Sequence, residues 1–131
     1  MGRSIDSLDT SRTMDVGGQP IAYFSLKAAE EAGAGAVTRM PRSLKVLYEN
    51  LLRHEDGNAV SKDHLLRFAD AAAAPDREME IFFHPTRILM NDSAGIPLMA
   101  DLAALRAAAA RNAADPALVN PQIPADMVVD H

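Results

Sequence analysis

Apolar positions recur at Leu44, Leu47, Tyr48, Leu51 and Leu52 while Lys45, Glu49, Asn50 and Arg53 fill the remaining places. This is the 3.6-residue period of an amphipathic helix, and it predicts one running from Pro41. A stripe that wide faces the chain's own core rather than a partner. Asp56-Gly57-Asn58 marks a turn, and Ser61 is placed to cap a further helix carrying Leu65, Leu66, Phe68 and Ala69 up to Pro75. Ahead of these, Ile21 to Phe24 form a short β-type run, and Ser25 caps a helix through Ala32 that Gly33 ends. Residues 1–19 show no periodicity, contain Gly17 and Gly18 and end just before Pro20, so they are expected to form a flexible lead-in.

In the second half the period changes. Met79 to Phe83 and Thr86 to Met90 are runs of strand length separated by His84-Pro85, and the second is expected to be buried. Pro97 suits the first turn of a helix that buries Leu98, Leu102, Leu105 and Ala109. Asp115 to Ala125 hold three prolines and predict an irregular connection, after which Met127-Val128-Val129 resumes a strand. Strand, helix, strand through such a crossover implies a parallel, right-handed pair and an α/β layer architecture.

Composition narrows the partners. At 131 residues with 48% hydrophobic content the chain is at most one ordinary globular domain. Eighteen acidic against thirteen basic residues give a net charge of −5, with no basic block. That argues against nucleic acid or an anionic membrane as the main partner. There is no cysteine, which excludes disulfides, thiol nucleophiles and cysteine-ligated clusters built from this chain alone. No secretory signal or membrane span is readable, so the expected compartment is the cytoplasm.

Ligands of open parallel sheets gather beyond the carboxyl ends of strands. Two segments have that place: Asn91-Asp92-Ser93-Ala94-Gly95 after the first strand of the crossover, and Asp130-His131 after the second. Asn91 could donate an amide hydrogen bond to a carboxylate. Asp130 could orient the imidazole of His131 and raise its basicity, which suits protonation of a leaving hydroxyl. The same residue types are what any turn after a strand needs, and spacing alone favours that reading. His54 and His64 lie ten positions apart on different helices with no third ligand at metal spacing, so solvated helix faces are expected of them. His84 reads as a strand-end side chain. Arg87 lies inside an apolar strand and calls for an ion-pair partner.

The run MPRSLKVLYENLLRHEDG at residues 40–57 resembles the amino-terminal stretch of monomeric aconitases related to iron-regulatory protein. IAYFSLKAA at 21–29, HPTRILMNDSAGIPLMADLAALR at 84–106 and DPALVNPQIPADMVVDH at 115–131 resemble the same family in the same order. The resemblance implies an aconitase-type first-domain portion spanning residues 20–131, three-layered with a mainly parallel sheet. It also implies a four-domain hydro-lyase that interconverts citrate and isocitrate through cis-aconitate with a [4Fe–4S] cluster. The cluster's ligands would lie outside this chain, in remaining domains present in cis or as a second subunit.

Residue by residue, the family's substrate-contacting Gln after the strand in an LMQD-type motif falls on Asn91, one methylene shorter. The Asp-His of the family's DHS motif, which assists departure of the substrate hydroxyl, matches Asp130 and His131. Ser93-Ala94 departs from the family's usual bulkier residue followed by Thr or Ser, which leaves open which tricarboxylate is bound. The chain stops at His131, ahead of the family's cluster cysteines and serine base, so the isolated chain is expected to be inactive. A noncatalytic interaction module with the same fold is the alternative. Open strand edges and an uncovered apolar face are expected to drive aggregation or dimerisation of the isolated chain.

Overall fold

A computed structural model of the protein describes residues 4–74 and 78–129, and these divide into two compact units, one up to His84 and one from Pro85. The first opens with a hairpin in which β1 (Ser11–Val16) pairs antiparallel with β2 (Gln19–Phe24), in register from Ser11 opposite Phe24 to Val16 opposite Gln19. Gly17 and Gly18 close it at φ 62° and 84°. A two-residue loop with both residues left-handed is the turn that matches strand twist, and glycine adopts it without a Cβ penalty. Residues 11–16, read above as aperiodic, thus form a strand. Its alternation is hard to see because every residue of β1 is exposed, which leaves neither face selected for apolar side chains.

The segment before the hairpin is tied to the core. The Asp6 carboxylate accepts from the Thr10 amide and hydroxyl, both at 2.7 Å, and from the Ser11 amide at 2.9 Å. Ser7 N–H donates to the buried Glu55 carboxylate, and Leu8 is buried in the core cluster.

Helix α1 (Leu26–Glu31) is capped by Ser25, whose hydroxyl accepts the Ala28 amide, and the chain leaves it through Gly33 at φ 92°. Helix α2 (Arg42–Arg53) starts after Pro41, and α3 (Lys62–Ala72) starts after Ser61. Ser61 makes a reciprocal capping box with His64, whose Nδ1 accepts the Ser61 amide at 3.3 Å. Tyr48, Leu51 and Leu52 of α2 interlock with Leu65 and Phe68 of α3, with the Tyr48 and Phe68 rings stacked at 5.7 Å. The α2 stripe is therefore core, as its width predicted.

Residues 79–83 form no strand. Met79 and Ile81 pack against the core while Glu80, Phe82 and Phe83 are exposed. The alternation stops at Phe82, and among the described residues no partner strand takes up this backbone.

The second unit is a βαβ crossover. β3 (Ile88–Asn91) and β4 (Ala125–Val128) pair in parallel, Ile88 opposite Ala125 and Asn91 opposite Val128, joined by α4 (Asp92–Arg111) and a 3-10 turn at Pro116–Leu118. The expected parallel pair is present. Among the described residues the architecture is mixed α/β, with one parallel pair and one antiparallel hairpin.

Three expectations for this unit are corrected. Helix α4 begins at Asp92, five residues before Pro97, because Asn91 caps it there, so Pro97 lies inside the helix rather than in its first turn. β3 is not buried: Ile88 is 41% and Leu89 70% exposed. A parallel strand apolar on both faces needs a layer on each, and within this unit α4 is the helix that packs against it. Leu105 is likewise exposed, while Leu98, Leu102 and Ala109 are half-buried.

Candidate functional site at the strand ends

Asn91 ends β3 and is the N-cap of α4, with extended backbone at φ −81° and ψ 177°. Its Oδ1 accepts the Ala94 amide at 3.2 Å and the Ser93 hydroxyl at 2.9 Å. An Asn here satisfies one of the amides a helix start leaves orphaned, and Asp92 in the first turn complements the helix dipole. Because the cap consumes the oxygen, the orientation of the amide is set. The two Nδ2 donors are carried on the other branch of the amide of this exposed side chain. A capped Asn91 is thus at once the turn residue that spacing favoured and a positioned hydrogen-bond donor.

Across the pair, Asn91 lies beside Val128, and the described chain continues to Val129. Asp130 and His131, the proposed catalytic pair, lie outside the described residues.

Arg87 precedes β3 at the opposite end of the strands and forms an ion pair with Asp126 at 3.3 Å. This is the partner its apolar surroundings called for, but both side chains are exposed, so the pair contributes little. Arg106 ties α4 to the return segment, donating to the Val119 carbonyl at 3.0 Å and to the Asn120 side chain.

Sequence reasoning missed Gly95. It is the one buried residue of α4, and a Cβ built on it would lie 2.5 Å from Sδ and 2.6 Å from Cγ of Met127. A helical pattern read from Pro97 onward leaves Gly95 in the turn after the strand, so no helical signal marks it.

The histidines do other work in the first unit. His64 is a capping residue rather than a solvated one. His54 stacks on His84 with ring centroids 4.3 Å apart, and burial, followed by the neighbouring His84 and Arg53, holds the His54 imidazole below its ordinary pKa. Among the described residues no group of three His, Cys, Asp or Glu side chains could hold a metal ion. No helix among them is long and apolar enough to cross a membrane.

No protein-family model matches the chain. It is similar to aconitate hydratase A of Bradyrhizobium diazoefficiens, with 41% identity over 128 residues, 98% of this chain. Aconitate hydratase A of Pseudomonas aeruginosa is 44% identical over 98% of the chain, and that of Escherichia coli 45% over 83%. Over that shared length the chain is similar to the amino-terminal portion of aconitate hydratases. It spans 12 to 14% of the length of these aconitases. Asn91, Gly95 and the β3–α4–β4 crossover all fall within the matched stretch with the Bradyrhizobium protein, which leaves only three residues of the chain unmatched.

Proposed function

We propose that the chain is the amino-terminal part of an aconitase-like hydro-lyase that dehydrates and rehydrates a tricarboxylate such as citrate or isocitrate. The observation that carries this reading is the identity of about two residues in five with aconitate hydratases along nearly the whole chain. In this reading residues 20–131 belong to a three-layer aconitase-type α/β domain, and the protein works in the cytoplasm within the tricarboxylic acid cycle. The remaining aconitase domains, in cis or as a second subunit, cover the exposed β3–β4 pair.

Each site residue has a role its chemistry fits. Asn91 donates Nδ2–H to a substrate carboxylate from the end of β3. Asp130 orients the His131 imidazole, and His131 gives a proton to the departing hydroxyl and takes it back on rehydration. The family's [4Fe–4S] cluster does not fit the residues present: the chain has no cysteine, and the described residues contain no metal-ligand set. Any cluster is held by residues outside this chain.

A noncatalytic interaction module is the second reading, favoured by the large apolar side chains the second unit exposes, Leu89 at 70% and Leu118 at 80% among them. One experiment separates the two. The protein encoded by the complete reading frame that contains these residues is loaded anaerobically with its cluster and assayed for hydration of cis-aconitate. Activity that falls by orders of magnitude with His131→Ala supports the hydro-lyase. Full activity of that variant removes His131 from the mechanism, and absence of activity in the unaltered protein favours the interaction module.

A further inference from the structure

Gly95 is not where it is for backbone freedom, since it lies inside α4 and is absent from the positive-φ glycines. Inside a helix, glycine is about 1 kcal/mol less favourable than alanine. What the position gains is proximity. Met127 of β4 lies across the helix where a Cβ would stand, with Sδ, Cγ and Cβ at 2.5, 2.6 and 3.2 Å from it. The first two are closer than a Cβ comes to another heavy atom and the third is a tight contact, so any larger residue forces either Met127 or the first turns of α4 to move.

That turn is the one Asn91 caps. Gly95 follows Asn91 by four residues and Ala94, whose amide the Asn91 side chain holds, by one. Met127 pairs with Met90, the strand residue immediately before Asn91. The close contact between helix and β4 therefore lies one helical turn from the donor and one strand position from the end of the register. We propose that Gly95 is a positioning residue: by letting Met127 lie against α4, it fixes the distance between the Asn91 amide and the carboxyl end of β4. In the hydro-lyase reading, groups at both strand ends reach one compact polycarboxylate only while that distance holds. The proposal rests on the hydro-lyase reading for its ligand, but its structural half stands without it.

The test uses Gly95→Ala, Met127→Ala and the double variant. In the 131-residue chain, hydrogen exchange of the Ala94 amide reports the cap, with the α2 amide of Leu51 as an internal reference. Gly95→Ala is expected to speed Ala94 exchange about tenfold while leaving Leu51 unchanged, and adding Met127→Ala to restore it to within about threefold. Unchanged Ala94 exchange, or no restoration, overturns the proposal. Should Gly95→Ala fail to fold, Met127→Ala provides the background. There the added Gly95→Ala must leave Ala94 exchange unaltered, and a comparable acceleration in that background refutes the contact.

In the cluster-loaded protein from the complete reading frame, Gly95→Ala is expected to raise KM for cis-aconitate about tenfold with kcat within about threefold, because a displaced donor weakens binding and alignment. Met127→Ala should reverse it. A fall in kcat alone, with KM unchanged, assigns Gly95 a merely structural role. No hydration by the unaltered protein sinks the hydro-lyase reading while the exchange result still decides whether Gly95 sets the cap.

Discussion

The side chain of Asn50 holds the backbone of His84 with both ends of its amide: Oδ1 accepts the His84 N–H at 3.0 Å and Nδ2 donates to the His84 carbonyl at 2.8 Å. Asn50 is buried on α2, and the pairing spans 34 positions. It satisfies both backbone groups of His84, at the end of a stretch that has no strand partner among the described residues.

Replacing Asn50 by Ala leaves both His84 groups unpaired. Each orphaned buried group costs about 1–3 kcal/mol, so Asn50→Ala should lower stability by about 2 kcal/mol or more. A lower urea midpoint with an unchanged slope is the expected result. A midpoint equal to the unaltered protein's would show that the 79–84 segment is held by apolar packing alone.

His54 makes acid stability measurable. Its imidazole is held below the ordinary value of 6.5, first by burial and then by His84 and Arg53. The unfolded chain therefore takes up the proton first, and stability present above about pH 6.5 is lost as pH falls toward the folded value. Asp6 is also depressed: burial would raise its carboxyl, but the Thr10 amide and hydroxyl, the Ser11 amide and Arg12 outweigh it. Its contribution is present above 3.8 and is lost as pH falls through its folded value, in a second and more acidic window. His54→Phe keeps a ring to stack on His84 but cannot titrate. Thermal melts of this variant between pH 7.5 and 5, a range chosen about the ordinary histidine value, should be flatter than those of the unaltered protein. Equal slopes would show that another group carries the effect.

Helix α2 and helix α4 answer differently to the same substitution. Leu51 is 2% exposed within the core cluster, so Leu51→Ala should cost about 2–5 kcal/mol through lost burial and a cavity. Leu105 is 56% exposed on α4, and Leu105→Ala should stay within about 0.5 kcal/mol. Denaturant unfolding of the two variants compares them directly. A large loss at Leu105 would mean that something covers that face in solution.

How much of this was legible in the sequence depends on whether a residue's partner lies within its own segment. The α2 stripe, the Ser25 and Ser61 caps and the parallel β3–β4 pair follow from local period and turn chemistry, and they are present. The hairpin was missed because neither face of β1 is buried, which removes the alternation that reveals strands, although Gly17-Gly18 was its turn signal. Residues 79–83 have the composition of a strand, but Met79 and Ile81 pack on the helical core and the next residue, His84, is held by the Asn50 amide, which no local pattern can show. Pro97 drew the expected start of α4 five residues too late, since a proline tolerated inside a helix reads like one at its beginning. For the site, Asn91 was found by its place at a strand end. Gly95 was not, because its reason is Met127, thirty-two positions away in sequence.

The second unit predicts how the chain behaves in concentrated solution. Ile88, Leu89, Ile96, Met99, Val128 and Val129 are all more than 40% exposed, and they lie on or beside a two-stranded parallel pair. Two-stranded sheets are marginal alone, parallel ones are covered on both faces in folded proteins, and each strand here keeps an unpaired edge among the described residues. Apolar area and open edges together favour association, through added strands or face-to-face contact. Sedimentation of the 131-residue chain should therefore show concentration-dependent dimers or larger species. Leu89→Lys and Val128→Lys, on exposed positions that lose little folding energy, should shift the distribution toward monomer. A monodisperse monomer that unfolds cooperatively would mean that the apolar side chains of β3 and β4 find cover within the chain itself, and the need for a covering domain would fall with it.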